Sequence, residues 1–464
     1  MNVVTILLAI AWFIRIFGNL VSFIALWWIK EYRIDRMMIQ FRTSGLKLLF
    51  FPPYRLPPLS PKTMTIFLLA SVSIVSFLLF SKITLIIELL IVDLLLFSLT
   101  LIFVELLSLP TKIYHRILIS LAISKLRAHK GLYVIGITGS YGKTSVKDYL
   151  TTILSSKFRV LKTEASKNSP IGIAEVVLSK LHADHEIFVV EMGAYKRGEI
   201  REMTNMVRPQ IGIITAINPQ HQDLFGTIEN TMAAKYELIV GLTGKKMGIF
   251  NGDDPRVRQM SQWAKRDGKQ VRMWSIENAQ DVRADLDGVQ FTLNTSVHVK
   301  SPVLGEHQVS NILAAIVAAH ACGMNISEAA KAATEIKPAK GVMQKIKGVN
   351  GSLFIDDTFN NNPDGAKAAI AFLEKMKGRK ILVFQPMIEL GSYALISHRE
   401  VGKFAERVCD EIILTNNSYE KKLHGKVMNT KDATDYLQKN IKKGDTVLFK
   451  GKEAGKILKL CLEK

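Results

Sequence analysis

Residues 133–145, YVIGITGSYGKTS, decide how this chain folds. A run of mainly β-branched residues from Tyr133 to Thr138 leads directly into a loop with two glycines, and a helical pattern follows from Val146. In a strand, loop and helix of this kind, the glycines let backbone N–H groups turn toward phosphate oxygens, and the helix N-terminus adds its positive dipole end. The stretch therefore predicts a phosphate-binding loop in a mostly parallel α/β sheet.

The candidate phosphate contacts lie in this loop. Lys143 is expected to reach the terminal phosphates, and the Thr144 hydroxyl is expected to ligate Mg²⁺. The strict GxxxxGK[ST] spacing fails, because Ile137 occupies the first glycine position. A tight turn without a ligand is the alternative, but the composition of the loop favours nucleotide binding. The predicted nucleotide-binding residues of the loop are Gly139, Ser140, Gly142, Lys143, Thr144 and Ser145.

The residues after the loop continue the α/β pattern. The short runs EIFVVEMG, IGIITAI and KMGIFN alternate with helical stretches, which is typical of a parallel sheet flanked by helices. Because the carboxyl ends of such strands line the ligand crevice, Glu191 is a candidate Mg²⁺ ligand, with a solvated edge acid as the alternative. Asp357 and Asn360, within DDTFNNNPDG at 356–365, are candidate nucleotide contacts. Simple turn chemistry is the alternative for this cluster.

The first 130 residues differ in composition from the rest. The chain has 464 residues, of which 48% are apolar and 22% charged, and these averages exclude a disordered, collagen-like or coiled-coil protein. Its net charge is +20, and residues 1–130 carry 14 Lys and Arg against 5 Asp and Glu beside long apolar runs. Such placement favours a membrane over nucleic acid as the partner. Cys322, Cys409 and Cys461 form neither a disulfide framework nor a zinc pattern.

Three apolar segments predict membrane crossings. Residues 3–28 are long enough to span a bilayer, and residues 64–80 and 83–106 predict a helical hairpin. A cleaved signal peptide is the alternative for the first segment, but that segment is too long and no small-residue cleavage site follows it. The Lys and Arg residues of the flanking loops favour the cytoplasmic side. We therefore expect a multi-pass cell-membrane protein, in contact with membrane lipids, whose catalytic domains are cytoplasmic.

The phosphate loop and the motifs that follow it resemble the Mur ligases, ATP-dependent enzymes that join an amino acid or dipeptide to a carboxylate. The motifs follow the order of that family over residues 131–464, and the last two look like the member that adds D-alanyl-D-alanine. They are TGSYGKTS at 138–145, VVEMGAYKRGEI at 189–200, TAINPQHQDLFGTIENTMAAKYELI at 215–239, NGDDP at 251–255, LGEHQVSNILAA at 304–315, DDTFNNNPDG at 356–365 and MIELGSYALISHREVG at 387–402.

The resemblance also implies roles for single residues. It makes His221 a metal ligand, Lys235 a carbamylated lysine that ligates the same metal, and Asn311 an adenine contact. Without the resemblance, a lone histidine is more often structural, and a helix lysine is normally exposed. The chain departs from the family at Val342, where an arginine usually reaches ATP, so Lys340 is expected to substitute as a point charge.

The expected domain organisation has four segments. Residues 1–110 form a transmembrane anchor of about three helices, 111–130 a basic linker, 131–338 the central ATP-binding domain, and 339–464 a smaller Rossmann-like α/β domain. The family's N-terminal domain, which grips the uridine diphosphate of the acceptor, is expected to be replaced by the apolar segment.

The resemblance implies an ATP-dependent amide ligase of peptidoglycan precursor synthesis. Such an enzyme adds a D-alanyl-D-alanine-like amino compound to a muramyl-peptide carboxylate through an acyl phosphate, with ATP and Mg²⁺ as cofactors. Two other functions stay open: a ligase or amidotransferase-type subunit acting on a lipid-linked acceptor, and a membrane-tethered phosphate-loop ATPase or kinase. The second alternative leaves the motifs at 304–315 and 356–365 without a use.

Overall fold

The fold is known from a computed structural model. The chain divides into two compact units, Met1–Leu118 and Ile119–Lys464. The second unit contains two six-stranded sheets and a three-stranded one, with helices packed against the larger sheets. This arrangement confirms the predicted α/β class. The structure describes residues 3–81, 83–164, 167–219 and 222–463.

The first unit is helical. Helix α4 begins sharply because Ser60 caps it, accepting a hydrogen bond from the Thr63 N–H at 3.2 Å, and Pro61 occupies the first helical position. Helices α1, α4 and α5 are long and apolar enough to cross a membrane, by length and composition only. The helices are α1 (Val3–Ile29), α2 (Ile34–Ser44), α3 (Lys47–Phe50), α4 (Pro61–Phe80) and α5 (Leu85–Ala128).

The phosphate loop belongs to a wholly parallel sheet with the strand order β2-β3-β1-β4-β5-β6. Strands β1, β3, β4 and β5 are almost wholly buried, because helices cover both faces of the sheet. The elements of this region are β1 (Tyr133–Thr138), α6 (Lys143–Ser155), β2 (Val160–Lys162), α7 (Pro170–Lys180), β3 (Ile187–Glu191), α8 (Glu199–Val207), β4 (Ile211–Ile214), α9 (Gln222–Phe225), α10 (Ile228–Val240), β5 (Met247–Asn251), α11 (Pro255–Arg266) and β6 (Gln270–Trp274).

The register of the central strands places the candidate site. Strand β1 lies between β3 and β4, with Ile137 opposite both Glu191 and Ile213. The end of β3 therefore lies beside the point where β1 enters the phosphate loop. Because these strands are parallel, their carboxyl ends share one edge of the sheet, as the sequence pattern predicts.

A small antiparallel sheet and two helices complete the central region. The sheet has the order β7-β8-β9, and its inner face packs with α6 and α12 into one hydrophobic core. The alternation of its short strands was not among the sequence predictions. The elements are β7 (Ala279–Asp285), β8 (Gly288–Leu293), β9 (Val297–Ser301), α12 (Gln308–Ala321) and α13 (Ile326–Ala332).

The C-terminal region is a second α/β layer structure with the strand order β10-β11-β15-β12-β13-β14. All neighbouring strands are parallel except β10 and β11. Asp357, Lys450 and Phe384 lie in one row at the carboxyl ends of β11, β15 and β12. The elements are β10 (Gln344–Lys347), β11 (Leu353–Asp357), α14 (Pro363–Glu374), β12 (Lys380–Phe384), α15 (Ala394–Val408), β13 (Glu411–Leu414), α16 (Glu420–Leu423), β14 (Lys426–Val427), α17 (Thr430–Asn440), β15 (Thr446–Lys450) and α18 (Lys452–Leu462).

Candidate active site

The phosphate loop turns tightly between β1 and α6. A Cβ atom on Gly139 would lie 1.9 Å from Thr215 Oγ1, so a side chain larger than hydrogen does not fit there. Gly142 has φ +79°, in the left-handed region that favours glycine, and it is the N-cap of α6. The two glycines that the sequence analysis singled out are thus required by a close approach and by a backbone turn, respectively.

Two lysines, the half-buried Lys143 and the buried Lys235, meet at this loop. Lys143 Nζ donates to the carbonyl oxygens of Gly139 and Ser140, at 2.8 and 3.1 Å. Lys235, from α10, donates to the same Gly139 oxygen at 3.1 Å. Burial lowers the pKa of both ammonium groups; Glu191 partly opposes this for Lys143, whereas Lys143 lowers the pKa of Lys235 further, to well below its usual value. The loop therefore carries two lysine side chains on one carbonyl oxygen, and Lys143 makes it suitable for an anion.

The carboxylate of Glu191 is held from three sides. Its Oε2 accepts hydrogen bonds from Thr144 Oγ1 at 2.9 Å and from Lys147 Nζ at 3.3 Å, and its Oε1 accepts one from Asn168 Nδ2 at 3.0 Å. Burial raises the pKa of Glu191, but Lys143, Lys147 and the two uncharged donors together outweigh it, so the pKa lies below the usual value. Glu191 is therefore an ionised carboxylate of fixed orientation at the edge of the phosphate loop.

The oxygen atoms of Thr144 and Glu191 fit a magnesium ion. They lie side by side at the start of the phosphate loop, and hydroxyl and carboxylate oxygens are ligands that Mg²⁺ takes in small numbers while keeping waters and phosphate oxygens. Within the described part of the chain, three or more His, Cys, Asp or Glu residues do not cluster in a way that would hold a metal. His221, the predicted second-metal ligand, lies outside the described residues.

Asn311 lies beside the loop on α12. A Cβ atom on Gly142 would be 3.0 Å from Asn311 Oδ1, and Asn311 Nδ2 donates to Gln308 Oε1 at 2.9 Å. The same Gln308 oxygen accepts a hydrogen bond from the buried Tyr149 hydroxyl at 2.9 Å. The N-terminal turn of α12 is thereby fixed against α6, which keeps the Asn311 amide next to the phosphate loop.

The candidates in the C-terminal region lie on one loop cluster. Asp357 forms a buried ion pair with Lys450, and the exposed Asn360 follows β11. Lys340 is also exposed. The carbonyl oxygen of the next residue, Gly341, accepts a hydrogen bond from the Phe359 N–H at 2.9 Å. The structure thus brings the segment of Lys340 beside the segment of Asp357 and Asn360.

One contact joins this cluster to the central sheet. Asn218, in the loop after β4, donates from Nδ2 to Asp364 Oδ2 at 2.9 Å and to Asn362 Oδ1 at 3.4 Å. Asn362 is the N-cap of α14 and Asp364 lies in its first turn. The candidate site is therefore formed where the carboxyl edges of the two large sheets meet.

The sequence analysis did not identify several residues of this arrangement. Lys147 had a usable signal, because it is four residues after Lys143 and shares its helix face. The others have partners that are distant in the sequence, except Gln308 with Asn311, and all but Asp364 are uncharged. The residues missed are Lys147, Tyr149, Asn168, Asn218, Gln308 as a buried acceptor, and Asp364.

Comparison with known proteins places this site in a family. Residues 137–319 match the Mur ligase middle domain, and residues 343–453 match the Mur ligase, glutamate ligase domain. A curated relative from Bacillus subtilis, UDP-N-acetylmuramoyl-tripeptide--D-alanyl-D-alanine ligase, is 32% identical over 343 residues, which cover 70% of this chain and 74% of the relative.

The chain belongs to the Mur ligase family.

The relative of the same name from Escherichia coli is 29% identical over 284 residues, covering 59% of this Mur ligase and 62% of the relative. Among solved structures, MurF from Acinetobacter baumannii superposes with a TM-score of 0.69 at 27% identity, covering 75% of this chain and 81% of that one. MurF from Thermotoga maritima in complex with ADP has a TM-score of 0.68 at 25% identity, with coverage of 75% and 83%. The predicted family and the predicted enzyme class, an ATP-dependent ligase, are confirmed.

The same comparison corrects the predicted location. The D-alanyl-D-alanine ligases to which this Mur ligase is similar are cytoplasmic soluble enzymes, so the prediction of a multi-pass cell-membrane protein is wrong. The prediction was based on length, hydropathy and flanking charge, which α1, α4 and α5 satisfy only as candidate spans. These properties do not distinguish a span from an apolar helix that buries its surface against protein.

Proposed function

We propose that this Mur ligase joins D-alanyl-D-alanine to a carboxylate of a muramyl tripeptide, using ATP, in peptidoglycan precursor synthesis. The names of its curated relatives support the substrates, and the ADP complex of the Thermotoga maritima MurF supports the nucleotide. The observation that carries the proposal is the meeting of Lys143 and Lys235 at Gly139, beside the Thr144 and Glu191 oxygens. The Lys143 cation suits a nucleoside triphosphate, and the fixed Glu191 carboxylate suits the divalent cation that accompanies it.

The reaction has two steps. A carboxylate oxygen of the muramyl peptide first attacks the γ-phosphorus of ATP, the bond to the bridging oxygen breaks, and ADP and an acyl phosphate form. The amino nitrogen of D-alanyl-D-alanine, after losing a proton, then attacks the acyl carbon, and inorganic phosphate leaves with the electron pair of the broken C–O bond. Lys143 stabilises the charge on the transferring phosphoryl group from its fixed place in the loop.

We assign the remaining loop residues to the phosphates and the nucleoside. The loop from Gly139 to Ser145 is assigned to the phosphates and Asn311 to the adenine. Within the loop, the Ser140 N–H donates to the Ala216 carbonyl oxygen and the Ser140 hydroxyl bonds to the Asn218 backbone. The expected contacts from the C-terminal region are Lys340, Asp357 and Asn360. Val342 stands where the family usually has an arginine, so Lys340 supplies the positive charge instead. The closeness of Gly341 to Phe359 supports a joint role for these residues.

Thr144 and Glu191 would hold one Mg²⁺, which supplies charge neutralisation when bound. We assign the second metal site to His221 and to a carbamate on Lys235. Carbamate formation requires a neutral amine, which attacks CO₂ and releases a proton. The lowered pKa of Lys235, caused first by burial and then by Lys143, supports this modification because the amine loses its proton at a lower pH than an exposed lysine does.

The test is a substrate panel with the purified protein. ATP is supplied with D-alanyl-D-alanine, D-alanine or no amine, and with the UDP-linked muramyl tripeptide, its lipid-linked form or no acceptor. Phosphate release and product mass are measured, and the Lys143→Ala variant is the control. We expect phosphate release that requires both D-alanyl-D-alanine and a muramyl tripeptide, with the mass of the amide product.

Two other results would contradict the proposal in different ways. Phosphate release that needs neither substrate would indicate a phosphate-loop ATPase. Product formation only with an amine other than D-alanyl-D-alanine would leave the ligase chemistry in place and change the substrate. Preference for the lipid-linked over the UDP-linked acceptor would identify the acceptor class without affecting the amide-forming step.

A further inference from the structure

Lys147 is a buried cation to which the proposed reaction assigns no role. Its side chain is 1% exposed, although it lies on α6 among residues that follow an ordinary amphipathic pattern. It is three residues after Thr144 and four after Lys143, so its side chain is a neighbour of each of theirs on the helix surface. That face points to the end of β3, where Lys147 Nζ lies 3.3 Å from Glu191 Oε2.

The second acidic neighbour of Lys147 is already paired. Asp148 Oδ1 lies 3.8 Å from Lys147 Nζ, but it accepts a hydrogen bond from Lys162 Nζ at 2.7 Å. The shorter contact of Lys147 is therefore the one to Glu191. Burial of an ammonium group is unfavourable unless it is paired with a carboxylate, so the Lys147 side chain is held at this place by Glu191.

The pairing fixes the direction of the Glu191 carboxylate. Lys147 and Thr144 share the Oε2 atom, while Asn168 holds Oε1. Without Lys147, Oε2 would keep a single hydrogen-bond donor, and the strongest remaining attraction on the carboxylate would be toward Lys143. The Oε2 atom would then be held less firmly beside Thr144 Oγ1.

We propose that Lys147 is a positioning residue that holds Glu191 Oε2 beside Thr144 Oγ1 and thereby sets the affinity of the nucleotide site for its divalent cation. The inference rests on the proposed function, because it takes the phosphate loop as the nucleotide site. Lys147 itself contacts neither nucleotide nor cation. Groups of this kind, one contact away from a metal ligand, typically change metal affinity by about 10- to 100-fold when they are removed.

The experiment measures ADP binding calorimetrically in full-length protein, across a range of Mg²⁺ concentrations and in EDTA. For Lys147→Met we expect the Mg²⁺ concentration for half-maximal tightening of ADP binding to rise about tenfold or more. Binding of ADP in EDTA should stay within about twofold, because the phosphate contacts of the loop remain. Lys147→Arg, which keeps a donor and a charge for Oε2, should recover most of the Mg²⁺ dependence.

The matched control is Lys162→Met. This variant removes Lys162, which pairs with Asp148 of helix α6 but does not contact Glu191. We expect its Mg²⁺ dependence to equal that of the wild type. If Lys147→Met does not fold, Lys147→Gln replaces it. The glutamine side chain is shorter and uncharged, so the Mg²⁺ concentration for half-maximal tightening of ADP binding should rise in the same way.

The outcomes separate this inference from the proposed function. A lower melting temperature with an unchanged Mg²⁺ dependence would make Lys147 a structural ion pair and overturn the inference alone. An equal loss of ADP affinity with and without Mg²⁺ would also overturn it, because Lys147 would then affect the binding of the ADP phosphates rather than the binding of the cation. A wild-type protein that binds no ADP at any Mg²⁺ concentration would overturn both.

Discussion

Lys143 and Lys235 donate hydrogen bonds to one and the same atom, the carbonyl oxygen of Gly139, at 2.8 and 3.1 Å. The two lysines come from helices that are far apart in the sequence, and both ammonium groups are buried. A single carbonyl dipole compensates two lysines poorly, and burial together with Lys143 lowers the pKa of Lys235. We therefore expect a bound phosphate anion to take over Lys143 as a donor, while the Lys235 amine is the group that loses its proton.

The first prediction concerns Lys143. Lys143→Ala should reduce ATP turnover by about a hundredfold or more, because one donor to the charge that develops on the phosphoryl group is lost. The fold should be retained, since the substitution removes a buried cation rather than an apolar contact. Steady-state phosphate release measures the first effect and thermal unfolding the second. Turnover equal to that of the wild type would exclude the lysine from the chemistry.

The second prediction concerns the modification of Lys235. Because burial and then Lys143 lower its pKa, the amine loses its proton at a lower pH than an exposed lysine does, and the carbamate should form at that lower pH. Carbon-13 NMR with labelled bicarbonate should show a carbamate signal that strengthens as the pH rises through the lowered pKa. The signal should be missing in Lys235→Ala.

Activity provides an independent check of the same residue. Lys235→Ala should be inactive, and added formate or acetate should restore part of the activity by supplying the missing oxygen ligand. Full activity of Lys235→Ala without any carboxylate would remove this lysine from the mechanism.

The third prediction tests the close approach at Gly139. Gly139→Ala should destabilise the protein by about 1–3 kcal/mol, which is typical of overpacking, because its Cβ would lie 1.9 Å from Thr215 Oγ1. Nucleotide binding should fail as well, since the loop must move to relieve the contact. Thr215→Ala in the same chain removes the nearest atom and should restore part of the stability. A double variant no more stable than Gly139→Ala would show that the collision lies elsewhere.

The fourth prediction concerns the link between Asn218 and Asp364. Asp364→Ala removes a hydrogen bond to a charged acceptor, worth about 1.5–3 kcal/mol, and should loosen the contact between the edges of the two sheets. Water would then reach the acyl phosphate, so more phosphate should be released per amide bond formed. The ratio of phosphate to product measures this coupling.

The exposed pair of Lys375 and Glu306 serves as the control for this link. Their charged atoms are 2.9 Å apart, but both side chains are largely in solvent, where such pairs contribute little. Lys375→Ala should therefore leave the ratio of phosphate to product unchanged. An unchanged ratio in Asp364→Ala as well would show that the link does not exclude water.

Much of the fold follows from local sequence. The β-branched run before Gly139 predicts a buried strand, and the glycines with Lys143 predict the loop, because the backbone conformations and the donors are properties of neighbouring residues. Glu191 was predicted from a more general rule, that parallel strands end at one edge of the sheet. Helices α1, α4 and α5 were also predicted from their apolar runs, whereas α2 and α3 were not. The location inferred from the apolar runs was wrong, because hydropathy does not report what covers an apolar surface.

The sequence by itself thus determined the strand, loop and helix at the phosphate site and the chemistry of the loop, since these depend on residues close together in the chain. Tertiary structure decided which distant side chains hydrogen-bond to the same group. Lys147 has the position of an exposed helix lysine and Asn168 that of a loop residue, yet both hold Glu191. Such contacts join residues from 23 to 44 positions apart. They arise only when the packing of α6 on β3 excludes water and leaves a buried carboxylate that must be paired.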